Sequence, residues 1–146
     1  MSRLFTLQEA QALLPQVERW LRSAIENRKS AFQMDEQLNA LLMRINLQGG
    51  ILPDVNRAAE LKTGKEQSLD RLKKALSEIE EAGCLVKDLE IGLVDFPTLL
   101  DGAEVYLCWK LGESQIGFWH HTHEGFAGRK SIDREFRERH KGSKSQ

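Results

Sequence analysis

The sequence is poor in the residues by which small proteins usually declare a chemistry. Its two cysteines, Cys84 and Cys108, lie far apart without CxxC spacing, which excludes a zinc knuckle or a thioredoxin-type redox pair and leaves two reduced, partly buried thiols. Three prolines, with 40% apolar and 29% charged residues, exclude a disordered or fibrous chain. No apolar run approaches the ~20 residues that span a bilayer. The opening MSRLFTLQEA has no signal-peptide core, so a cytoplasmic protein without membrane association is expected. The net charge of −1 excludes the strongly basic footprint of a dedicated nucleic-acid binder.

What is present fits one α+β domain over residues 1–146, enough for a single core. Its three segments are a helical hairpin at 1–83, an antiparallel sheet at 84–128 and a basic C-terminal tail at 129–146. The tail holds seven Lys or Arg against three acids and reads as a solvated terminus, with an acidic partner as the minority alternative.

Thr6 and Glu9 form a T-x-x-E capping box, so the first helix starts at Leu7. Pro15 predicts a kink, or a short first helix leading into a long one. Beyond it apolar residues recur every seven: Val17, Ala24, Ala31, Leu38 and Ile45 in one row, Leu13, Trp20, Met34 and Leu41 in the other, which predicts coiled-coil-like packing. Asn27 falls in the second row, where it either fixes register or faces solvent. Gly49 and Gly50 make the loop. Pro53 or Asp54 opens a second helix, with stripe Val55, Ala58, Leu69, Leu72, Leu76 and Ile79, that stops at Gly83. The first helix outreaches the second, so Leu7, Leu13, Leu14 and Val17 need the sheet for burial. Side surface left over on the hairpin predicts a homodimer forming a four-helix bundle.

After Gly83 the rhythm changes to short segments, CLVKDL, GLVDFP, AEVYLCWKL and QIGFWHHT, which predict three or four antiparallel strands. A type II′ turn at Gly112 and Glu113 would pair Leu111 with Ser114 and Trp109 with Ile116. That register puts Val105, Leu107, Trp109, Ile116, Phe118 and His120 on the core face, and Glu104, Tyr106, Cys108, Trp119 and His121 on the other.

Several residues carry a likeness: Phe5, Thr6, Glu9 and Ala10; Leu13, Leu14 and Pro15; Lys87 and Asp88; GLVDFP at 92–97; LCW at 107–109; GE at 112–113; Ile116; WH at 119–120; and GFAGR at 125–129. In order and spacing they resemble the small bacterial family known as domain of unknown function 2203, over nearly the whole chain. The family is uncharacterised, so the resemblance implies no activity.

Asp88, Asp95, Glu113, His120, Glu124 and Arg129 fall within about forty residues on strands and tight loops, where a rigid sheet can hold polar groups together. Asp88, Asp95, Trp119, His120 and Arg129 are the candidate ligand-binding residues, with Arg129 suited to a carboxylate or phosphate. Each also has a structural reading. Asp88 fits a turn or ion pair, Asp95 a local cap, Glu113 a solvated hairpin tip, Trp109 and Trp119 packing, and His120 a hydrogen-bonded core histidine with Asp95 as partner. His121 and His123, with Glu124 beside them, have the spacing of a weak divalent-metal site. GFAGR permits a tight turn whose amides receive an anion, but lacks a P-loop's ending. No Ser-His-Asp or Cys-His nucleophile can be assembled from order alone. These features point first to a regulatory module that binds a small anion or metal and dimerises through its hairpin. The alternatives are a small enzyme with His120 as acid–base and Asp95 orienting it, or a purely structural protein–protein interaction module.

Overall fold

The computed structural model describes residues 3–140. They comprise two long helices, α1 (Leu7–Gln48) and α2 (Leu52–Glu81), then five antiparallel strands and a short helix, α3 (Arg134–Arg139). The strands are β1 (Leu85–Asp88), β2 (Leu93–Leu100), β3 (Ala103–Lys110), β4 (Phe118–His121) and β5 (Lys130–Ser131), paired in chain order as a meander. This is the expected α+β arrangement of helical hairpin and antiparallel sheet. No helix among the described residues is long and apolar enough to cross a membrane.

The capping box forms as expected. The Glu9 amide donates to Thr6 Oγ1 at 3.0 Å and the Thr6 amide to Glu9 Oε1 at 2.9 Å, satisfying two of the amides a helix start leaves open. The helix runs unbroken through the exposed Pro15, so there is no separate short first helix. The second helix begins at Leu52, one or two residues before the expected opening. Asn27 makes only exposed bonds within its own helix, its amide donating to the Ser23 carbonyl one turn back at 2.8 Å, which agrees with the solvent-facing alternative.

The described residues form two compact units, 22–75 and the sheet-bearing 3–21 with 76–140. In the first, Leu38, Leu41 and Leu61 form a core with Met34, Ile45 and Ala58 against it. Lys65 crosses to Asp35 at 3.0 Å. Val55 and Leu69, expected in the seam, are 52% and 39% exposed.

In the sheet unit Phe5, Ala10, Leu14, Val17 and Leu21 are buried together with Val94, Phe96, Val105, Leu107 and Trp109. Leu14 and Leu21 take the buried places expected of Leu13 and Trp20, which are half-buried. The chain before α1 is tied to β2: the Phe5 amide donates to the Pro97 carbonyl at 2.7 Å and the Phe5 and Phe96 rings meet edge to face.

Two expectations are corrected here. Leu107 faces Trp119 and Cys108 faces Phe118, one residue away from the II′ register. The link from Leu111 to Gly117 is longer than two residues and is held from outside the hairpin. The Ile116 amide donates to Gln11 Oε1 at 2.9 Å, and the Gly117 carbonyl accepts from Ile132 at 2.9 Å. A one-residue slip exchanges faces, so His120 and Phe118 leave the core face and Trp119 and His121 join it. The segment from Arg129, expected as a solvated tail, supplies β5 and α3, and Phe136 of α3 is buried against Trp119.

Candidate functional site

On the sheet face away from α1, three neighbouring strands bring together Asp95 of β2, Cys108 of β3 and His120 of β4. Asp95 and Cys108 are opposite each other in the ladder, and His120 sits opposite Tyr106, one step diagonally across β3. All three are buried: Asp95 and Cys108 at 0% exposure and His120 at 2%. Their ligating atoms lie within 4.8 Å of one another, and among the described residues this is the one cluster of three metal-capable side chains.

Hydrogen bonding defines the protons in this cluster. His120 Nδ1 lies 2.8 Å from the His121 carbonyl; a carbonyl only accepts, so Nδ1 carries hydrogen. Nε2 lies 3.1 and 3.0 Å from the two Asp95 oxygens. One proton therefore sits between imidazole and carboxylate, and the pair is neutral as a whole whichever side holds it. Burial raises the Asp95 carboxyl above its usual range, with His120 opposing the rise. Burial, reinforced by Asp95, pushes the Cys108 thiol up to about 12.

This arrangement is unsuited to the acid–base and nucleophilic roles. Both ring nitrogens of His120 are engaged, and Cys108 is a thiol without a free imidazole to take its proton. It is suited to holding a cation. A carboxylate, a thiolate and an imidazole are the usual ligands of zinc-class ions, and the Nδ1–H bond to a backbone carbonyl is the outer contact that orients a ligating histidine.

The other sequence candidates are elsewhere or already paired. Asp88 accepts from the amides of Glu90 and Ile91 at 2.9 and 3.2 Å, as a turn residue. Trp119 is on the opposite face, between Phe136 and the Lys130 ammonium. Arg129 Nη2 lies 2.7 Å from both Glu113 oxygens, and its guanidinium stacks 3.9 Å from the Phe118 ring. Glu113, expected to be solvated, also accepts from the Lys110 amide and, through its carbonyl, from Trp109 Nε1. The GFAGR segment closes as a 3-10 turn at Phe126–Gly128, whose Gly128 amide, with that of Arg129, donates to carbonyls within the segment. Those amides are spent on the turn. His121 and His123 stack at 5.6 Å. Glu124 accepts from Lys130 Nζ and from the His121 amide, contacts that in that order hold its carboxyl down at about 2.

Two residues escaped sequence reasoning. Cys108 has no CxxC partner in the sequence, and the relation that matters is its place opposite Asp95 in the ladder. His140 closes the N-terminus of α1: Nε2 accepts from the Leu7 amide at 2.9 Å and Nδ1 donates to the Leu99 carbonyl at 3.0 Å. It borders a cleft of about 580 Å³ shared with Thr6, Gln8, Gln11, Gln115 and Arg137.

Fold and site together define an α+β protein in which a five-stranded meander encloses a neutral carboxylate–thiol–imidazole cluster. The chain belongs to the family described as an uncharacterized conserved protein, DUF2203, whose model matches residues 3–132. Comparison with curated proteins and with solved structures gives no match.

Proposed function

We propose that the protein is a binding module whose centre is Asp95, Cys108 and His120, and that this centre takes a zinc-class divalent cation. The single observation that carries the proposal is the convergence of three different donor types, from three adjacent strands, within 4.8 Å. Charge bookkeeping supports it. Before binding, the Asp95–His120 pair and the Cys108 thiol are neutral. Binding releases the shared proton and the thiol proton, and the two negative charges left behind balance the cation. The buried site is thus neutral in both states, which avoids the large cost of an unpaired buried charge. Soft and borderline donors favour zinc-class ions over magnesium or calcium, which prefer oxygen.

The small-anion alternative has less support, because Glu113 already holds Arg129 Nη2 and the Gly128 and Arg129 amides close the GFAGR turn, which leaves Arg129 Nε as a buried guanidinium atom without a partner. Cobalt(II) titration of untagged, metal-stripped protein tests the metal reading. A thiolate-to-cobalt charge-transfer band, absent in Cys108→Ser, and release of two protons per cobalt in weak buffer are expected. Affinity should rise about 100-fold per pH unit while both protons are in place. Excess cobalt producing neither band nor protons would remove the metal.

A further inference from the structure

Within residues 22–75 the hairpin bears apolar surface that its seam leaves unused. Leu42, Met43, Leu47, Ile51, Leu52 and Val55 are 46, 65, 75, 67, 71 and 52% exposed. Phe32, 63% exposed, stands eleven residues before Met43, three helical turns along the same face of α1. Exposed Glu36 and Asn39 lie between it and Met43 on that face, so the apolar patch proper is confined to the tip. Single exposed apolar residues are ordinary, but a run of this density is not.

The tip is also electrically silent. From Gln37 to Asn56 the charged side chains are Arg44 and Asp54 alone, and these pair with each other at 3.0 Å. Such a surface offers nothing by which an acidic protein, a basic protein or an anionic bilayer would be selected. It also meets its own image without repulsion, since it carries no unpaired charge that a two-fold axis would set against its own copy. The six tip side chains expose on the order of 600 Å², at the upper end of what a monomer usually leaves in one patch, and two copies together reach the ~1,200 Å² at which standard interfaces begin.

We infer that the hairpin tip is the contact between two copies of this chain, related by a two-fold axis. The same residues serve both sides, with Leu47 and Ile51 near the centre. The inference is independent of the metal centre.

Sedimentation of the full chain tests it. Wild type should sediment at about 100 μM as twice the 16.7 kDa chain mass and dissociate on dilution. Leu47→Glu with Ile51→Glu should weaken association at least about 100-fold while leaving the circular dichroism and the cobalt titration unchanged. Should the glutamates unfold the hairpin, Leu47→Gln with Ile51→Gln makes the same measurement. Wild type remaining at the single-chain mass at that concentration, or a folded double variant still paired, would overturn the inference. So would a monomeric chain that floats with phosphatidylcholine vesicles, which would assign the patch to lipid.

Discussion

One proton confined between His120 and Asp95 governs what either residue can tolerate. Replacing His120 by Ala strands a buried carboxyl, and urea unfolding should show a loss of about 3–5 kcal/mol. Asp95→Asn should cost less, about 1–2 kcal/mol, because the new amide can donate to an unprotonated Nε2; equal losses would contradict the proton assignment. His140 makes a second residue-scale prediction. It must accept from Leu7, so it must stay neutral, and burial lowers its value from the ordinary 6.5. Between the folded and unfolded values the unfolded chain binds more protons. The stabilisation is therefore full above about pH 6.5 and is lost as pH falls through the folded value. His140→Ala should cost about 1 kcal/mol near pH 7.5 and much less near pH 5, read from urea midpoints. A cost independent of pH would refute this. The pairing of Asp95 with His120 was legible from the need of a buried histidine for a partner, although the expected register set His120 on the wrong face. The roles of Cys108 and His140 were not, since each depends on a partner brought close only by the fold.

Among the elements, local signals were the readable ones. The Thr6 and Glu9 box, the loop glycines and the change of rhythm at Gly83 act over a few residues, and each appears where its chemistry puts it. Thr6→Ala should accordingly cost about 1 kcal/mol by thermal unfolding. The β3–β4 register was not readable, because Gln11 and Ile132, both distant in sequence, hold the connection open. Two glycines separate backbone strain from crowding. Gly92 has a φ of +75°, and an added Cβ would lie 2.6 Å from Leu111 Cβ; Gly102 has a φ of +80° with nothing within 4 Å. Gly102→Ala should cost about 1 kcal/mol and Gly92→Ala at least about 2. Equal costs in denaturant unfolding would show that the backbone alone decides.

For the molecule as a whole, a bound cation adds to folding stability by mass action. Zinc at a hundred times its dissociation constant should add about 2.7 kcal/mol and raise the melting temperature by roughly 5–10 °C. The shift should vanish in Cys108→Ser and reverse with chelator, and an equal shift in that variant would place the metal elsewhere. The α+β class was legible at this scale because a helical and a strand rhythm occupy separate stretches of chain. The fifth strand and α3 were hidden by the basic composition after Arg129, where Phe136 and Ile132 are too few to stand out. The bond from the Leu7 amide to His140 spans 133 positions. On the ribosome, the start of α1 must therefore wait, unsealed and open to chaperones, until nearly all of this stretch has been translated.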